Sequence, residues 1–207
     1  MKLIASLLLG LLLSVGLNAS ERKLQRFAVF EKPYSFSNYF EFQSDEGPCG
    51  LVVKKRFAYL NVRPHYEVYN AKGQWQATGV ARLLTLGAIY SWATEIDVYD
   101  TAGKRIGLID GQLATLAAAR FSFYEYDDKD KSTLKAIAYM DKEKGSFSVT
   151  DPDNDKYLFM HLQRVFLPNT QDHWKGQVFV DGAIDERVLK VFAAFAVDHQ
   201  EHFRPDR

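Results

Sequence analysis

Close to the C-terminus, Val191-Phe192-Ala193-Ala194-Phe195-Ala196-Val197 is apolar without interruption. A surface helix shows water a polar face within each pair of turns, and this stretch has none. It is also too short to cross a bilayer, which takes about 20 residues. A helix that is apolar all round is buried all round, so the rest of the chain must build an enclosure for it. Its start is marked by Asp185-Glu186-Arg187, where two carboxylates meet the free N–H groups and positive dipole of a helix N-terminus. These signals predict a helix over about 185–200. Lys190, near its beginning, is expected at the mouth of the enclosure.

The preceding sequence reads as the wall. Phe36-Ser37-Asn38-Tyr39-Phe40-Glu41-Phe42-Gln43 alternates aromatic and polar residues, as a strand with one buried face does. His65-Tyr66-Glu67-Val68-Tyr69 leads into the turn Asn70-Ala71-Lys72-Gly73. Thirty residues later, Glu95-Ile96-Asp97-Val98-Tyr99 leads into Asp100-Thr101-Ala102-Gly103. Asn and Asp bond their own turn backbone, and Gly takes the positive φ that closes it. The unit recurs with Phe121–Tyr126 before the charged turn Asp127–Lys131, and with Ser146–Thr150 before Asp151-Pro152-Asp153-Asn154. The 15 Phe and 11 Tyr suit such half-buried strands. Recurring hairpins mean an antiparallel meander, and closure into a barrel removes its exposed edges. The fold class expected is therefore mainly β, a closed antiparallel barrel of hairpins around a buried apolar C-terminal helix.

The chain begins with Met1-Lys2, the apolar run Leu3–Leu17 and Asn18-Ala19-Ser20. A short positive start, an apolar core and small residues at the end match a secretory signal. Residues 1–19 are expected to be removed, leaving 20–207 as a single domain, exported to a periplasm or secreted, in a bacterial setting. Cys49 is the one cysteine, so no intrachain disulfide forms, and burial at a strand start is its expected fate. With 26 basic and 26 acidic residues, the chain lacks the bulk positive charge of a nucleic-acid binder.

A barrel of hairpins closed by an apolar C-terminal helix resembles the tubby C-terminal-like superfamily, most closely its LURP-one-related branch, which sits beside the phospholipid scramblases. The resemblance is carried by Tyr66 to Gly73, by Glu95 to Gly103 with Ile106-Gly107, and by Ile184-Asp185 through Val197. It covers roughly Lys23 to His199. It implies about twelve strands around a central helix, and association with membranes or lipid headgroups, since tubby-like domains bind phosphoinositides and scramblases are tied to bilayers.

Candidate chemistry is sparse. Lys54 and Arg56 project to one face of a strand, and with Arg63 and Arg82 they form a candidate patch for a lipid phosphate or other anion. Trp174, read at the end of an exposed loop Leu167–Trp174, is a candidate anchor for a protein partner. Asp151-Pro152-Asp153-Asn154-Asp155 starts like a calcium loop, but Lys156 and Leu162 stand where Gly and an acid are needed. His199 and His202 lie on one helix face, without the spacing of a zinc site, and read as an exposed helix end. Glu95 and Asp97 share a strand face, as paired catalytic carboxylates would. Neither a nucleophile elbow nor a phosphate-cradling loop is present. No cofactor or metal is expected, and no enzymatic activity. The expected function is an exported, non-enzymatic module that binds lipid headgroups, a membrane surface or an apolar ligand. The alternative is an envelope or secreted protein-interaction module with no small ligand.

Overall fold

Wherever the alternation of apolar and polar residues runs, a strand forms, and the strands close on themselves. The computed structural model describes residues 24–33, 37–55, 63–82, 91–115, 118–166 and 173–200. In chain order the strands are β1 (Arg26–Pro33), β2 (Ser37–Ser44), β3 (Gly47–Lys55), β4 (His65–Tyr69), β5 (Trp75–Ala81) and β6 (Glu95–Asp100). They continue as β7 (Arg105–Thr115), β8 (Ala118–Tyr126), β9 (Ser132–Asp141), β10 (Ser146–Thr150), β11 (Leu158–Val165) and β12 (His173–Val178). Each pairs antiparallel with its neighbour in sequence, and β1 pairs with β12 to close the barrel, with Phe27 opposite Gly176 and Val29 opposite Trp174. One helix, α1 (Glu186–Asp198), follows. The predicted fold is the one observed, the helix ending slightly earlier than the sequence suggested. The segment 1–19 lies outside the described residues.

Three hairpins are built by the same local chemistry. The Asn70 side-chain oxygen accepts from the N–H groups of Lys72 (3.0 Å) and Gln74 (2.9 Å), and Gly73 sits at φ +74°. Asp100 does the same for Ala102 and Lys104, both at 2.9 Å, with Gly103 at φ +77°. Asp127 repeats it for Lys129 and Lys131, also at 2.9 Å, but Asp130 takes the left-handed position at φ +57°. Asp is among the few residue types with a side chain that tolerate this conformation.

α1 fills the barrel. Its N-cap Asp185 accepts from the Arg187 N–H at 2.9 Å, and every residue from Val188 to Val197 is buried. Phe192 and Phe195 meet Phe121 and Phe123 of β8 and Phe147 of β10 mostly edge-to-face, with ring centroids 5.0–5.8 Å apart. Such pairing adds to the area they bury. On the other side glycines let the helix close in. A Cβ on Gly79 of β5 would lie 2.7 Å from Val191, and one on Gly107 of β7 would lie 2.7 Å from Val188. Lys190 lies deeper than its expected place at the mouth. It is buried, donates to the Cys49 carbonyl at 3.0 Å and pairs with Glu186 at 2.7 Å. Cys49 is buried as expected.

Among the described residues, no helix is long and apolar enough to cross a membrane.

Candidate functional site

The antiparallel meander gives the barrel two unlike ends. At the turn end lie the short turns after β2, β4, β6, β8 and β10, and here the chain passes from β12 into the N-terminus of α1. At the loop end lie the connections after β1, β3, β5, β7, β9 and β11, and the C-terminus of α1.

The loop end is where the inward face stops being apolar. Inward residues of β1 run Phe27, Val29, Glu31. Those of β2 run, in reverse, Phe42, Phe40, Asn38, and those of β3 end at Lys54. β4 contributes Tyr66, and β11 runs Met160, Leu162, Arg164. These polar ends converge on the last turn of α1. Asp198 takes an ion pair from Lys54, a hydrogen bond from Asn38 Nδ2 (3.2 Å) and one from the Tyr66 hydroxyl (3.3 Å). Asn38 also donates to Glu31 Oε1 at 2.8 Å, and Gln200 donates to Glu31 Oε2 at 3.0 Å. Arg164 donates to the Gln200 carbonyl at 2.5 Å, and the Trp174 indole donates to Gln200 Oε1 at 3.3 Å. Burial, then the Asp198 charge, holds the Tyr66 phenol well above the ordinary tyrosine pKa, so it stays a donor. The network ties α1 into the barrel.

The sequence-predicted site residues are not gathered into one site. Lys54 points inward and is spent on Asp198. Arg82, after β5, lies on the outer wall and forks onto Asp97 at 2.6 and 2.8 Å, while also pairing with Glu95. The Asp97 bonds lead the causes that raise its pKa. Glu95 and Asp97 thus share a cation. Asp97 also reaches Arg105 at 3.3 Å, and the Arg105 guanidinium lies 3.6 Å over the Tyr126 ring. Arg63 is exposed and makes no ion pair with another described residue. Arg56 lies outside the described residues.

Trp174 corrects the sequence reading. It belongs to β12, not to an exposed loop, and its side chain is 0% exposed, stacked 6.1 Å from Phe147. Alternation with the exposed Lys175 and the inward Gly176 places it inside, and it cannot anchor a partner from there. His199 is not at an exposed helix end either: its ring lies 4.4 Å from Phe195 and 5.7 Å from Trp92. His202 lies outside the described residues. The Asp151 turn is closed locally, the Asp151 carboxylate accepting from the N–H groups of Asp153 (2.8 Å) and Asn154 (3.2 Å).

Sequence reasoning missed Glu31, Asn38, Tyr66, Arg164, Asp198 and Gln200. The available signal was a polar residue at the same end of each inward-facing apolar series. It also missed the charge contrast between the ends. The turn-end segments 44–47, 70–74, 100–104, 127–131, 151–157 and 179–187 carry twelve carboxylates and six cations in a chain of net charge zero. Lys32, Lys55 and Arg63 lie exposed at the loop end, Lys32 paired with Glu41 at 2.7 Å and Lys55 with Glu67 at 2.6 Å. Compared with known proteins, the chain matches no family model and no curated protein.

Proposed function

We propose that this protein is an exported, non-enzymatic binding module of tubby-like, LURP-one-related type that associates end-on with anionic lipid headgroups at a membrane surface. The observation that carries the reading is the division of the barrel. α1 occupies the space that an apolar ligand would fill in an open barrel, which leaves the exterior for binding. On the exterior, the acid excess at the turn end repels an anionic surface, and at the loop end Arg63 attracts one beside Lys32 and Lys55, whose charges are offset by Glu41 and Glu67. A basic side chain near an anionic membrane contributes about 1 kcal/mol, and Lys32 and Lys55 are already paired with Glu41 and Glu67, so the association is weak and salt-sensitive. Periplasmic or secreted placement follows from the reading of residues 1–19 as a signal.

Co-sedimentation with phosphatidylcholine vesicles, with and without phosphatidylglycerol, tests this. Binding should require the anionic lipid and fade with salt, and Arg63→Glu should weaken it roughly fivefold or more. Equal recovery with both vesicles, or none with either, would remove the reading.

A protein-interaction role is the second reading. It is favoured by aromatic side chains half exposed at the turn end, Trp75 at 44%, Tyr157 at 52% and Phe179 at 50%.

A further inference from the structure

We propose that the turn end docks a cationic polypeptide segment of a partner protein, rich in Arg or Lys, on the ring pair Tyr157 and Phe179. This rests on the protein-interaction reading and stands apart from the lipid reading, which concerns the opposite end. The Phe179 N–H donates to the Phe159 carbonyl at 2.8 Å, which brings the bend following β12 beside the start of β11. Tyr157 meets the Phe159 ring edge-on at 5.6 Å. Phe159 is buried beneath, and the other two rings each leave half their surface to solvent.

The turn that carries Tyr157 is held rigid. Asp151 caps it, the Tyr157 N–H donates to the Asn154 carbonyl at 2.9 Å, and the Asp151 N–H donates to the Tyr157 carbonyl at 3.0 Å. Around the rings it sets Asp151, Asp153 and Asp155 against Lys156 alone. None of these three carboxylates makes an ion pair with another described residue. Aromatic faces beside carboxylates bind guanidinium and ammonium groups, by cation–π attraction and by charge-assisted hydrogen bonds. The same end already does this internally: Arg105 lies 3.6 Å over Tyr126 and donates to Asp130 at 3.1 Å and Asp97 at 3.3 Å. The acid excess of the surrounding turns draws a cationic segment in and keeps anionic partners away.

The test is a titration of the full chain with a hexa-arginine peptide, followed by amide chemical shifts and calorimetry. Shifts should concentrate in 151–157 and 179–181, and Phe179→Ser or Tyr157→Ser should each weaken binding by about two- to fivefold. Both rings are exposed, so circular dichroism should be unchanged in the variants. Asp153→Asn with Asp155→Asn should flatten the salt dependence. Neither set should alter vesicle binding, so the two readings fail separately. Shifts spread evenly over all the acidic turns, with Phe179→Ser without effect, would overturn the docking site. So would concentration-dependent dimerisation of the free protein that Phe179→Ser abolishes, because the rings would then seat a second copy.

Discussion

The two ends of the barrel are closed by different physics. At the turn end, Asn70, Asp100 and Asp127 each bond backbone groups two and four residues on, so each of these three turns closes its backbone within its own few residues. At the loop end, Lys54 and Asp198 are 144 residues apart in sequence and Gln200 and Glu31 are 169 apart. Closure there depends on the whole barrel being assembled around α1. The turn end therefore tolerates change one turn at a time, and the loop end responds as a unit.

The largest expected effect lies between the ends. Phe195→Asp buries an unpaired charge in the ring cluster, which costs several kcal/mol, and the variant should be unfolded by circular dichroism. A folded, soluble variant would mean that α1 is not enclosed.

Next comes the loop end. Asp198→Ala strands the Lys54 ammonium and removes an acceptor from Asn38 and Tyr66. Denaturant melts should show a loss of about 3 kcal/mol, near the lower bound for a broken buried pair. Lys54→Met combined with Asp198→Leu should recover most of it, because apolar replacements of a buried pair are often neutral. An additive double variant would mean that the two charges do not act on each other.

At the turn end, Asp100→Ala should cost only about 1 kcal/mol, the usual value of a side-chain cap on free backbone donors. A cost near that of Asp198→Ala would erase the contrast between the ends.

The next effect is pH-dependent and belongs to the loop end. Burial, more than its neighbours Lys55 and Arg63, lowers the His65 pKa from 6.5, against a smaller opposing pull from Glu67. The unfolded chain therefore takes up this proton first as pH falls. The stability attached to His65 is complete above about pH 6.5 and is lost progressively below it, down to the lowered folded value. His65→Gln should flatten that part of the stability–pH curve, and an unchanged slope would assign it elsewhere.

Smallest of all, Asp130→Gly relieves a side chain at φ +57° but removes the bond from Arg105. The net change in melting should stay within about 0.5 kcal/mol.

Legibility in the sequence followed the same division. The three turns could be read from a handful of residues each, because side chain, backbone and the positive-φ residue that complete them are local. The enclosure of α1 was readable because Val191–Val197 offers no polar face. Trp174 was misread because the polar residues before it suggest a loop, whereas the deciding fact is its alternation with Lys175 and Gly176. The loop-end network was not read because its partners meet only after closure. Each member still carried a partial mark, as Glu31, Asn38, Lys54 and Arg164 each end an inward series on the same side.

The most direct test of the account is amide hydrogen exchange on the full chain, with and without phosphatidylglycerol-containing vesicles. Added protection is expected where β1 meets β2 and where β3 meets β4, with the turns 70–74, 100–104 and 127–131 unchanged. Protection at those turns, or none anywhere when the vesicles are bound, would contradict a barrel that meets an anionic surface by its loop end.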